Sequence, residues 1–179
     1  MTASAASDRL ARYDAVARGL HWAMAVLIIA NLASGFLNDA LEGIVRVIPV
    51  HKSIGLTVLV LSLVRLGWRF AGHRPPLPAA MPAWERAAAQ ATHAAFYVLM
   101  IALPLSGWIF SSAGRYPLDW FGLFPVPKFA VTKADAIYAV MHDGHEAMGV
   151  IAALLIALHV GAALRHHFVL RDQVLRRMA

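Results

Sequence analysis

HEAMGVIAALLIALHVGAAL, residues 145–164, decides the fold. From Ala147 to Leu158 no polar side chain interrupts it. The segment matches the roughly 20 residues that a helix needs to cross a bilayer core. Its two histidines, His145 and His159, stand 14 residues apart. At about 100° per residue, that spacing ends about 40° short of four full turns, so both rings leave one face, about 21 Å apart along the axis. One ring therefore lies near each membrane surface. His142 competes for the outer position but falls about 100° off that face, which favours His145.

Three further apolar stretches precede this one. They are GLHWAMAVLIIANLASGFL at 19–37, HKSIGLTVLVLSLVRLGWRF at 51–70, and residues 88–110. Of the 179 residues, 60% are apolar and only 15% charged, with a mean hydropathy of +0.62. A soluble domain averages about 45–50% apolar and about 25% charged, so the composition argues against a soluble fold. With neither a glycine period nor a sustained heptad, collagen and coiled coil fail, and the low charge argues against disorder. Without cysteine there is no disulfide, no Cys-ligated iron–sulfur cluster and no thioether-attached haem. The expectation is an all-α integral membrane four-helix bundle, one domain over residues 1–179.

Ten of the sixteen Lys and Arg residues flank the first span's start, the second-to-third connection and the fourth span's end. Arg46, Lys52, Arg115, Lys128 and Lys133 fall on the other side, and Arg65 lies inside the second span. The positive-inside rule then predicts both termini in the cytoplasm. It also accounts for the formal charge of +6 without any nucleic-acid partner. Trp22, Trp68, Trp84, Trp108 and Trp120 sit near span ends, as an interfacial belt requires. The first span has no convincing cleavage site and is kept in the mature chain. Thr132-Lys133-Ala134-Asp135 ahead of AIYAVM predicts a short capped helix at the outer interface before the fourth span. Pro104 predicts a bend or local opening of the third span. No internal repeat stands out.

Ionisable groups within spans are costly and mark function. His21 enters with the first span from the cytoplasm, level with His159, and His51 enters with the second from outside, level with His145. Two histidine pairs, each from two helices, are thus stacked across the membrane. Paired neutral imidazoles on facing helices suit the axial positions of haem iron. They make a poor zinc site, and a proton path would call for more carboxylates within the spans. Gly35, Arg65 and Gly107 follow His21, His51 and His93 at the same 14-residue spacing. The glycines serve helix packing or clearance for an outer haem, and Arg65 meets a propionate of the inner one. His93 at the inner level is read as a non-ligand; the other readings are a ligand replacing His21 or a propionate partner. His73 lies in a Pro-rich loop and is solvated, while His166 and His167 follow the fourth span at the inner interface. His166 either anchors the interface or, with Arg74, borders a quinone head group.

With these residues in place, the chain resembles the bacterial cytochrome b561 family of di-haem membrane proteins. The matching stretches are RYDAVARGLHWAMAVLIIANLASG at 12–35, HKSIGLTVLVLSLVRLGWR at 51–69, HAAFYVLMIALPLSGWIFSSAG at 93–114 and HEAMGVIAALLIALHVGAALRHHFVLRDQVLRRM at 145–178. The resemblance implies two haem b groups on His21, His51, His145 and His159, the four that depth alone selects. It further implies superoxide oxidation at the outer face, ubiquinone as electron acceptor, and a quinone site bordered by His166. Lys52, Arg115, Lys128 and Lys133 would concentrate a small anion there, or bind propionates and lipid phosphates. The rival is a relay subunit taking electrons from a soluble dehydrogenase or hydrogenase.

Overall fold

The computed structural model describes residues 12–72, 75 and 81–179. Among them, four long apolar helices form the architecture: α1 (Ala15–Phe36), α2 (Val47–Ala71), α3 (Ala83–Ser111) and α4 (Ala136–Leu164). Each packs on the next in chain order. Each helix is longer than its apolar stretch, chiefly because it starts earlier, by residues 15–18, 47–50, 83–87 and 136–144. Both described chain ends lie on one face, called here the terminal face. The 37–46 and 112–135 connections lie on the opposite, loop face.

Burial is inverted relative to a soluble bundle. Met24, Ser53 and Ser62 are the most enclosed side chains, while Val26, Phe70 and Leu154 expose 66%, 75% and 66% of their surface. Small hydroxyl residues inside and large aliphatics outside are what hydrocarbon as solvent favours, since helices there associate by close packing and hydrogen bonds.

Asp14 caps α1: its Oδ1 accepts the Ala17 N–H at 2.9 Å. Its carboxylate also accepts the Trp68 indole N–H at 3.1 Å, tying the start of α1 to the end of α2. The Ala17 N–H, with help from Trp68, holds the Asp14 carboxyl below its ordinary range against a smaller opposing effect of burial.

Pro104 does not break α3, which is helical throughout. Proline cannot donate to the Met100 carbonyl. The Ser62 hydroxyl of α2 approaches that oxygen at 3.3 Å while also donating to Val58 at 2.6 Å. The neighbouring helix thus covers the opening.

The expected interfacial helix is not separate. AIYAVM forms the first turns of α4, because nothing between Ala136 and Leu164 breaks the helix and Gly144 and Gly149 are tolerated within it. Asp135 accepts from the Thr132 N–H and hydroxyl instead of capping α4. The loop face carries an unexpected antiparallel ribbon of β1 (Asp119–Trp120) and β2 (Phe124–Pro125). Its turn places Phe121 at φ +50° and Gly122 at φ +71°. α2 anchors it: Ser53 Oγ accepts the Phe121 N–H at 2.9 Å, and Thr57 Oγ1 accepts the Trp120 indole N–H at 3.0 Å.

On the terminal face, α4 runs into a wider turn over Arg165–Leu170 that ends at Arg171, φ +52°. The chain then folds back onto α1. Arg18 donates to the Ala179 carbonyl at 2.6 Å, Trp22 Nε1 to Met178 at 2.7 Å, and the Tyr13 N–H to Arg177 at 3.2 Å.

Candidate functional site

A cavity of about 1250 Å³ runs through the bundle from face to face. His21, His51, His93, His145 and His159 all line it. They form two layers. In the loop-side layer, the rings of His51 (α2) and His145 (α4) have centroids 6.1 Å apart and planes at 73°. In the terminal-side layer, His21 (α1) and His159 (α4) are 6.4 Å apart at 74°. Two imidazoles bound on opposite sides of one metal at about 2 Å each have ring centroids about 6 Å apart, so both pairs fit a shared axial position.

The loop-side imidazoles are held by one device used twice. His51 Nδ1 lies 3.0 Å from the Asn31 carbonyl of α1 and 3.0 Å from Ser34 Oγ. His145 Nδ1 lies 2.9 Å from the Leu103 carbonyl of α3 and 3.1 Å from Ser106 Oγ. Each serine hydroxyl donates at 2.7 Å to the same carbonyl as its histidine. A carbonyl oxygen only accepts, so the ring proton is on Nδ1 and the Nε2 lone pair is left free for a metal.

The adjacent glycines complete the cradle. A Cβ on Gly107 would stand 2.9 Å from His145 Cε1, and one on Gly35 would stand 3.2 Å from His51 Cε1. Both glycines therefore make room for the imidazole of the neighbouring helix, an intermediate answer between helix packing and cofactor clearance. Asn31 Oδ1, on a residue lining the same cavity, is buried and has no hydrogen-bond partner among the described residues. A bound polar group or water would satisfy it.

The terminal-side layer is built otherwise. Arg65 Nη2 lies 3.5 Å from His21 Nδ1, and its Nη1 lies 3.4 Å from the Ala17 carbonyl. His93 of α3 reaches within 5.7 Å of the His159 ring, and Phe96 within 5.4 Å. His93 thus belongs to this layer, on the opposite wall from His21.

Other sequence candidates are placed as follows. His142 stands at the loop-side rim, stacked on Tyr138 and 3.1 Å from Asp143. Lys52 and Lys133 line the cavity, whereas Lys128 donates to the Gly114 carbonyl at 2.6 Å and Arg115 is exposed. His166 is buried in the wide turn, its Nδ1 on Asp172 and its Nε2 3.9 Å from Glu85, which also pairs with Arg165 at 3.1 Å. It does not line the cavity; Val174, Leu175, Arg177 and Met178 do. Burial opposes ionisation of Asp172, but the Val174 N–H and His166 outweigh it and lower the carboxyl. Arg74 and His73 lie outside the described residues.

Sequence reading alone did not pick out Ser34 and Ser106. The signal was present: His, twelve residues, then Ser-Gly occurs at His21–Gly35 and again at His93–Gly107. The accepting carbonyls of Asn31 and Leu103 obey the same spacing, so α1–α2 and α3–α4 are structurally repeated hairpins.

Fold and cavity together define a helical membrane protein of the cytochrome b kind, with opposed imidazoles around an interior space. The chain belongs to the prokaryotic cytochrome b561 family, whose family model matches residues 12–179. It is 34% identical to cytochrome b561 homolog 2 of Escherichia coli (strain K12), over 93% of this chain and 90% of the relative. It is 31% identical to cytochrome b561 homolog 1 of the same organism, over 89% and 92%. It is 28% identical to the probable superoxide oxidase CybB of Yersinia pestis, over 93% and 95%. The protein is thus a multi-pass bacterial membrane protein of electron transfer in a family that binds haem b.

Proposed function

We propose that this chain oxidises superoxide at the periplasmic face of the inner membrane and reduces ubiquinone, using two haem b groups. His51 and His145 would hold one, and His21 and His159 the other. The observation that carries this is the pair of histidine layers at 6.1 and 6.4 Å within one continuous cavity. The likeness to a probable superoxide oxidase supports the choice of substrate.

Bound haem supplies a one-electron carrier. The protein's own part is to orient it and to admit reactants. The Asn31 and Leu103 carbonyls keep the Nε2 atoms of His51 and His145 unprotonated and aimed inward. Lys52 and Lys133 on the loop-side lining draw a small anion towards the cavity. Each superoxide gives up one electron and leaves as dioxygen; two such electrons and two protons convert ubiquinone to ubiquinol. At the terminal face His166, held between Asp172 and Glu85, stands where protons enter from the cytoplasm. Both termini are cytoplasmic in this reading, in keeping with the basic residues clustered on that face.

Stopped-flow mixing of the purified haem-loaded protein with superoxide tests this. Reduction should outpace that of a soluble bis-His haem protein and turn over when a short-chain ubiquinone is added. A rate no faster than the control sinks the superoxide assignment.

A second reading is a relay subunit receiving electrons from a soluble dehydrogenase or hydrogenase. It is favoured by the aromatic and aliphatic surface of the loop-side segment, where Tyr116 and Leu123 are 85% and 72% exposed. Co-purification of a redox partner, with no superoxide reaction, would select it.

A further inference from the structure

The two histidine layers are alike in ring geometry and unlike in what surrounds the rings. In the loop-side layer both imidazoles donate Nδ1–H to a helix carbonyl, with a serine oxygen at 3.0–3.1 Å reinforcing the contact. Such donation pushes electron density onto Nε2 and makes the ring a stronger ligand, which favours the oxidised, more positive metal. In the terminal-side layer neither pattern recurs. Arg65 Nη2 stands 3.5 Å from His21 Nδ1; a ring that ligates through Nε2 carries its proton on Nδ1, which a guanidinium cannot accept, so Arg65 acts on His21 as a charge and not as a hydrogen-bond acceptor. Among the described residues, no acceptor lies within hydrogen-bond range of His159. A fixed cation beside a ligand favours the reduced, less positive metal.

The remaining charges do not reverse this difference. Arg69, on the next turn of α2, lies over the Tyr97 ring at 5.3 Å and adds positive charge on the same side. Asp14 is at the rim, engaged by the Ala17 and Trp68 N–H groups. On the loop side, Lys52 and Lys133 also line the cavity, but Glu146 and Asp39 line it with them. Lys133, Glu146 and Asp39 are exposed, where screening is strongest. Lys52 is half-buried beside His51 and is the one of these four that works against the difference.

We infer that the chain builds a redox gradient into the groups that touch its histidine ligands: the Asn31/Ser34 and Leu103/Ser106 cradles lower the reduction potential of the loop-side site, and Arg65 raises that of the terminal-side site. This rests on reading both layers as haem sites. Arg65, Ser34 and Ser106 are positioning residues that act through the ligands. An electron entering at the loop face then moves towards the terminal face along a favourable slope.

Redox titration of the full-length haem-loaded protein, followed optically, tests the inference, and a haem count on the same samples tests the underlying site reading separately. Two haems per chain should be found, titrating as two one-electron waves. Arg65→Gln should lower the higher wave by about tenfold in reduced-to-oxidised ratio at fixed potential, about 59 mV for one electron, and leave the lower wave in place. Arg65→Lys should restore much of it. Ser34→Ala with Ser106→Ala should move only the lower wave. One haem per chain would overturn the two-site reading. Two haems with coincident waves would overturn the gradient. So would an Arg65→Gln variant that shifts the lower wave or neither, the latter meaning that a haem carboxylate cancels the guanidinium. If Arg65→Gln fails to load haem, the serine pair decides alone, since movement of the higher wave contradicts the assignment.

Discussion

At the scale of single residues, the glycines of the two cradles make the sharpest prediction. A Cβ at position 107 would approach His145 at 2.9 Å, closer than real side chains come, whereas one at position 35 would approach His51 at 3.2 Å. Gly107→Ala should therefore remove most of one haem per chain in a haem-to-protein assay, and Gly35→Ala a smaller share. Equal, full occupancy in both would show that the imidazoles can shift freely. Asp14 gives a pH-dependent prediction. Its carboxyl is lowered in the folded chain, so the stability it adds is fully present above about pH 4 and is lost as pH falls through its folded value. Asp14→Ala should cost about 1 kcal/mol at neutral pH and cost nothing in strong acid, as read by thermal unfolding in detergent. The ligand candidates were legible in the sequence because a ring's level follows from span direction and its face from helical period. Ser34 and Ser106 were not, since a buried serine carries no chemistry of its own until the partner helix brings a histidine to it.

At the scale of elements, α2 and α3 are joined where proline interrupts the backbone. Ser62→Ala leaves the Met100 carbonyl with one partner fewer and should cost about 1 kcal/mol. In a Pro104→Ala background the helix can supply its own N–H to that carbonyl, so the same change should cost clearly less. A double-mutant cycle with no coupling would refute the repair. The four helices were readable because long apolar runs have one physical solution in hydrocarbon. The ribbon at Asp119–Pro125 was not, because strands of two residues show no alternation and this hairpin is fixed from outside by Ser53 and Thr57. The start of α4 differs from the sequence expectation for a related reason. A polar Thr-Lys-Ala-Asp stretch marks a helix start, but only the absence of a breaker through Gly149 shows that the helix continues inward.

At the scale of the whole molecule, two hairpins enclose a cavity that neither could form alone. Substituting His145 by Ala should remove the loop-side haem and spare the other, and His159→Ala should do the reverse, as judged by haem count and the surviving optical band. Loss of both from each variant would mean that the cavity stands or falls as one unit. The hairpin repeat also explains His93. It is the counterpart of His21 on α3, and it reaches the layer of His159 as symmetry requires. Its sequence position alone left three roles open.

The return of the last residues onto α1 has a practical corollary. Because Arg18 and Trp22 grip the carbonyls of Ala179 and Met178, an affinity tag inserted at Met178 would sit inside a gripped corner and tug at the wall beside His21. A tag spliced into the Phe121–Gly122 turn would hang from the opposite side, where the ribbon and its Ser53 anchor would feel it.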